Sequence, residues 1–303
     1  MQIEKGFTSL KEFGHKTQQL IMPIVAIADG EIIPLGTGFV ISPDGFLMTA
    51  KHVIESFTTL LPPDRNGNEF YKKYSLYALY VSNERHGKNN ELYLGGMLPI
   101  RNVWFSTELD IAYCWVQKPF FIEKKELLQL PSVKLSPGVP KVGEKIIGFG
   151  YYQSQAILTA EVVEGKQVAE YKQETAFTTG EIVEIHSPKR DSSMLTFPCF
   201  QTSARFELGM SGGPIFNEKG FVCGVICSGY KEATDENGHV TYSSMIWPAL
   251  GTSLEIKPSP SESVQMITAY EICKRGVFAT DESINEVNLT MNEDGTRSVF
   301  LRR

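Results

Sequence analysis

The stretch Gly36-Thr37-Gly38-Phe39-Val40-Ile41-Ser42-Pro43-Asp44-Gly45-Phe46-Leu47-Met48-Thr49-Ala50-Lys51-His52-Val53 reads as two short β-strands joined by a turn. Gly38–Ser42 and Phe46–Thr49 are runs of strand length, and Pro43–Gly45 is a hairpin-turn signal. The stretch ends on His52, which opens a helix-like segment, HVIESF. A lone histidine is usually structural or solvated, but this one stands at a strand–helix boundary. The other four lack that setting. His15 lies beside the N-terminal helix candidate, His86 in a polar run, His186 at a strand end and His239 in an Asn-Gly-His turn.

Working outward, most of the chain repeats this pattern of short β-rich runs divided by Gly, Pro and Asp. Further runs are Ile24–Ala28, Ser75–Val81, Ile111–Val116, Lys145–Gly148, Gly180–Ile185 and Phe221–Ser228. The expectation is an all-β protein. Helical signals fall at the ends, over Ile3–Phe13 and, more strongly, over Pro260–Arg275. In the latter, Val264, Ile267, Tyr270 and Ile272 keep helical spacing and Gly276 follows. Leu130–Pro140, with three prolines and a glycine, reads as a linker. Arg65–Asn68 and Asn83–Asn90 read as polar loops, and the tail after Thr280 as loosely held.

Composition excludes several classes. A chain of 303 residues that is 42% hydrophobic can bury a real core. A net charge of −6 argues against a general nucleic-acid binder, which needs basic surface to neutralise phosphate. No apolar run reaches the length of a membrane helix. Leu20–Ala28 ends in Ala26-Ile27-Ala28 like a signal-peptide cleavage site. Glu4, Glu12 and Pro23, and the strand-like run that follows a turn at Asp29-Gly30, argue against that reading. The five cysteines, Cys114, Cys199, Cys223, Cys227 and Cys273, are irregularly spaced, four of them within three apolar runs, so buried reduced thiols and a cytoplasmic location are expected. Cys223 and Cys227 share a strand face, but no second pair at zinc-ligand spacing follows. Neither metal nor cofactor is expected.

Two further segments carry chemistry. In Gly209-Met210-Ser211-Gly212-Gly213-Pro214 a serine sits in a glycine-rich turn. A serine hydroxyl needs a base to become a nucleophile, and the reaction needs backbone N–H donors aimed at the developing oxyanion. Glycines let the backbone adopt such a turn. In Leu109-Asp110-Ile111-Ala112 an acid opens an apolar strand. A carboxylate buried there wants a partner, and a histidine N–H would serve.

The three segments GTGFVIS–TAKHV, LDIA and GMSGGP, in the order His, Asp, Ser, resemble the chymotrypsin/trypsin-like serine peptidases. They look closer to the bacterial disulfide-free members, HtrA-type proteases included, than to digestive trypsins. The resemblance implies two six-stranded antiparallel β-barrels with a C-terminal helix. That divides the chain into an extension over 1–19, barrels over 20–130 and 131–256, and a helix and tail over 257–303. It implies Ser211 as nucleophile, His52 as general base, Asp110 as the orienting acid, and the Gly209 and Ser211 amides as the oxyanion hole. Cys227, Ser228 and Gly229 would border the pocket for the residue before the cut. The substrate would be a protein or peptide.

Two departures stand out. Where secreted zymogens carry an Asp just before the serine, this chain has Met210, which leaves room for an activating protein partner. Six residues before the serine stands Arg205, which suggests an acidic substrate side chain unless Glu207 pairs with it. A catalytically silent binding module of the same fold is the alternative. GMSGG also fits the nucleophile elbow of α/β-hydrolases, which expects acid and histidine after the serine. Only Asp235 and His239 offer these, in a polar turn, and no helix pattern follows Ser211.

Overall fold

A computed structural model describes residues 3–4, 6–10, 15–28, 31–61, 74–86, 92–121, 125–163, 166–231, 239–256, 263–292 and 297–302. Asp29-Gly30, Arg65–Asn68 and Asp235 lie outside them. The N-terminal segment carries strands β1 (Ile3–Glu4) and β2 (Phe7–Leu10), then helix α1 (His15–Leu20). The first barrel follows: β3 (Ile21–Ala28), β4 (Glu31–Ser42), β5 (Phe46–Thr49), helix α2 (Lys51–Thr59), β6 (Tyr74–His86), β7 (Leu92–Phe105) and β8 (Ala112–Val116). Its strands close antiparallel in the order β3-β4-β5-β8-β7-β6. The stretch Leu20–Ala28, weighed above as a signal segment, supplies a wholly or nearly buried strand that pairs with both β4 and β6.

The quoted hairpin forms as expected. Gly45 takes φ +98, a left-handed conformation that favours glycine, and its N–H donates to the Ser42 carbonyl at 3.1 Å. All four residues of β5 are buried. One face looks into the barrel, while the other side is covered by C-terminal chain: the Phe278 ring meets Phe46 edge-on at 5.3 Å and stacks on Tyr113 at 6.2 Å. A strand buried on both faces reads as an uninterrupted apolar run.

After the short hairpin β9 (Phe120–Phe121) and β10 (Glu126–Leu127), the chain crosses to the second barrel. Its strands are β11 (Lys145–Val163), β12 (Lys166–His186), β13 (Cys199–Thr202), β14 (Pro214–Asn217), β15 (Val222–Lys231) and β16 (His239–Met245). They run in the order β12-β11-β14-β15-β16-β13, and the β12–β13 pairing closes the ring. The protein is therefore all-β with two closed six-stranded antiparallel barrels. All five cysteines are buried and free. No described helix is long and apolar enough to cross a membrane.

Four local expectations fail. Where Ile3–Phe13 is described, the expected N-terminal helix is instead the hairpin β1–β2, because the edge of β12 offers its backbone a strand partner; 11–13 lie outside the described residues. Asn83–His86 continues β6 rather than looping. Among the described residues of the helix expected over Pro260–Arg275, only α3 (Ala269–Lys274) is helical; 260–262 lie outside them. The preceding β18 (Gln265–Thr268) pairs with β17 (Ser253–Ile256), and a capping box between Thr268 and Glu271 starts the helix there. The tail beyond Thr280 is built in: β19 (Val287–Met291) and β20 (Arg297–Leu301) form a hairpin whose Val299 and Leu301 pack on the main core.

Candidate active site

His52 is the second residue of α2. Val53 and Ile54, both buried, pin that helix to the first barrel and fix where the imidazole emerges. Asp110 lies two residues before β8 and is 8% exposed. Its carboxylate meets His52 Nδ1 at 2.9 and 3.0 Å and also accepts from the His52 backbone N–H at 3.0 Å. A third donor is the Cys227 thiol, 2.7 Å from Asp110 Oδ2. Burial pushes that thiol well above its usual range and the Asp110 charge adds to the rise, so it stays a proton donor.

Ser211 lies in the turn that leads into β14. Its hydroxyl donates to the Cys227 carbonyl at 3.3 Å, so Cys227 touches Asp110 through its side chain and Ser211 through its backbone. Among the described residues no hydrogen bond joins Ser211 Oγ to His52.

The turn is held from both barrels. Thr37 N–H donates to the Ser211 carbonyl at 2.8 Å, and the Thr37 hydroxyl donates to the Gly209 carbonyl at 2.9 Å while accepting from Tyr151 N–H at 3.0 Å. Gly212, at φ +84, packs so closely that a Cβ would come within 2.2 Å of the Thr37 carbonyl. The amides of Met210, Gly212 and Gly213 are spent on the Glu207, Ile226 and Met210 carbonyls. Among the described residues those of Gly209 and Ser211 donate to no protein acceptor.

A cavity of about 320 Å³ opens beside the dyad, lined by His52, Asp110 and Cys227 and walled by Leu109 and the Met194–Phe197 loop. Asp191 shapes that loop by accepting from the N–H groups of Ser193, Met194 and Leu195. Of the other pocket candidates, Ser228 and Gly229 lie on β15 opposite Tyr242 and Thr241. Arg205 is ion-paired with Glu207 at 2.5 Å, which offsets the charge read above as an acidic preference. The ligand atoms of His52, Asp110 and Cys227 lie within 4.8 Å of one another. The hydrogen bonds His52–Asp110 and Asp110–Cys227 account for that spacing.

The sequence model described as "Trypsin-like peptidase domain" matches residues 36–225. The chain belongs to the trypsin-like peptidase family. This trypsin-like peptidase has the fold of the serine proteases, and the strand-turn-helix of the α/β-hydrolase reading is absent around Ser211. Solved structures similar to it include the active form of the Rv3671c protease from M. tuberculosis, at 17% identity and a TM-score of 0.43 over 76% of this chain and 77% of that one. Deg5 is similar at 16% identity and a TM-score of 0.46 over 76% and 85%. The MamO protease domain from Magnetospirillum magneticum is similar at 11% and 0.44 over 76% and 94%. No curated protein matches the chain.

Sequence reading singled out His52, Asp110 and Ser211, of which the structure joins His52 and Asp110 directly, and it missed Thr37, Asp191 and the Cys227 thiol as a donor to Asp110. Thr37 sits in a Gly-Thr-Gly run, where a small hydroxyl between glycines was the available signal. Asp191-Ser192-Ser193 likewise has the composition of an Asx turn.

Proposed function

We propose that the chain is a serine endopeptidase acting through an acyl-enzyme. Ser211 attacks the scissile carbonyl, His52 takes its proton and returns it to the leaving amine, and Asp110 orients the imidazole. The observation that carries this reading is the double contact of His52 Nδ1 with a buried Asp110 carboxylate. An acceptor there keeps the proton on Nδ1 and leaves Nε2 free as the base. In the resting site the Ser211 hydroxyl lies on the Cys227 carbonyl; on substrate binding it turns to Nε2, as catalytic hydrogen bonds often tighten only in the complex. The uncommitted Gly209 and Ser211 amides receive the oxyanion.

The substrate is an extended stretch of protein or peptide. β14 pairs with β15 only as far as Val225, which leaves Cys227–Gly229 an edge for substrate backbone to add as a strand. The buried reduced thiols suit a reducing compartment, so we place the activity in the cytoplasm.

The test is to incubate the chain and its Ser211→Ala variant with casein and with a fluorophosphonate probe. Cleavage and labelling present in the first and lost together in the second support the reading. Neither in either would refute an autonomous peptidase and favour a partner-activated or binding-only protein.

A further inference from the structure

Strand β2 comes from the N-terminal segment, yet it is built into the second barrel. It pairs antiparallel with β12 from Leu10↔Thr175 to Phe7↔Thr178, and Thr179 N–H donates to the Gly6 carbonyl at 2.7 Å. Gly6 takes φ +84, and a Cβ there would stand 2.5 Å from the Thr179 carbonyl oxygen, so this approach requires glycine.

Phe7 is the buried aromatic residue of this strand. It joins the core cluster that holds Tyr152, Phe206 and Met210. Its ring meets Tyr152 edge-on at 5.5 Å, and the Arg205 guanidinium lies 5.1 Å from its centroid. One residue pair along, the Tyr152 hydroxyl donates to Ser9 Oγ at 2.6 Å. Four of these partners, Tyr152, Arg205, Phe206 and Met210, border the Ser211 turn. Arg205, Phe206 and Met210 belong to the segment that delivers it, and Gly209 packs against the Tyr151–Tyr152 backbone, where a Cβ would meet the Tyr151 carbonyl oxygen at 2.8 Å. Met210 is wholly buried and uncharged, so the turn is anchored there by apolar packing.

We propose that β2 is an in-chain brace for the oxyanion turn and that Phe7 is its positioning residue, acting through Tyr152, Arg205 and the Met210 cluster on the Gly209 amide. Phe7 touches no reacting atom. Its removal loosens the turn while both barrels stay closed, because each ring closes through its own six strands without β2. The role assigned to the turn rests on the serine-peptidase reading; the brace itself does not.

The experiment compares the full chain with its Phe7→Ala, Phe7→Leu and Phe7→Tyr variants. Amide hydrogen exchange is followed over residues 206–213 and, as control, over β5 and β8. Exchange in the turn should rise about tenfold or more in Phe7→Ala and less in Phe7→Leu, with β5 and β8 unchanged and Phe7→Tyr close to wild type. On a peptide ester, kcat should fall about tenfold in Phe7→Ala with KM within about twofold, and affinity for a peptide boronate should fall in parallel. Unchanged exchange in the turn, or equal acceleration in both barrels of the Phe7→Leu chain, overturns the brace. A wild-type chain that neither cleaves nor labels refutes the peptidase reading, while the exchange data still decide the brace.

Discussion

The thiol of Cys227 lies 2.7 Å from Asp110 Oδ2 and donates its proton there. With the two His52 donors it gives the buried carboxylate a full set of partners. A hydrogen bond to a charged group is worth about 1.5–3 kcal/mol. Cys227→Ser keeps a donor on the same atom and should retain activity within about threefold. Cys227→Ala leaves Asp110 one donor short and should lower kcat about tenfold. Steady-state kinetics on one ester substrate checks the pair, and equal losses in both variants would contradict the role.

Thr37 ties the first barrel to the Ser211 turn of the second. Its hydroxyl bridges Tyr151 N–H and the Gly209 carbonyl, and both contacts are buried or partly buried. Thr37→Val keeps the shape and removes the bridge, which orphans a donor and an acceptor. The expected cost is about 1–3 kcal/mol of stability, together with a fall in kcat. Thr37→Ser should restore most of both. Urea unfolding and kcat measured on the same preparations decide it.

The catalytic candidates were legible because each makes a local demand. A serine needs glycines around it, an acid opening a buried strand needs a partner, and a histidine at a strand–helix boundary is held in place. What stayed hidden depends on neighbours far along the chain. The N-terminal segment carries Ile3, Phe7 and Leu10 at a spacing that suits a helix, and only the distant edge of β12 makes it a strand. Arg205 suggested an acidic pocket preference, and its pairing with Glu207 offsets that charge. The resemblance put Cys227 at the pocket border, but its contact with Asp110 crosses from one barrel to the other.

Asp191 shapes the wall of the cavity beside His52. Backbone N–H donors from Met194, Ser193 and Leu195 hold its carboxyl far below the usual carboxylate range. A depressed carboxylate contributes above its unfolded value and loses that contribution only as pH falls through the folded one. The loop therefore stays organised across any working pH. Asp191→Ala should release Met194 and Leu195, raising KM about three- to tenfold with kcat within about twofold. A kcat loss without a KM change would show that the wall does not touch substrate.

The buried thiols set the alkaline limit of the fold. Burial pushes Cys114 and Cys273 up to about 12 and Cys199 to about 11, and Cys223 rises further still. In the unfolded chain these thiols ionise near 9.0. Above that pH the unfolded state binds fewer protons than the folded one, so stability must fall as pH rises. Each such thiol contributes a slope of up to about 1.4 kcal/mol per pH unit until its folded value is reached. The urea midpoint should therefore be flat from about pH 7 to 8 and fall steadily from about 9 to 11. Cys114→Ala leaves a small cavity and should start from a lower midpoint, but its decline should be shallower because one ionising group is gone. A decline as steep as that of the parent would place the alkaline loss on other groups.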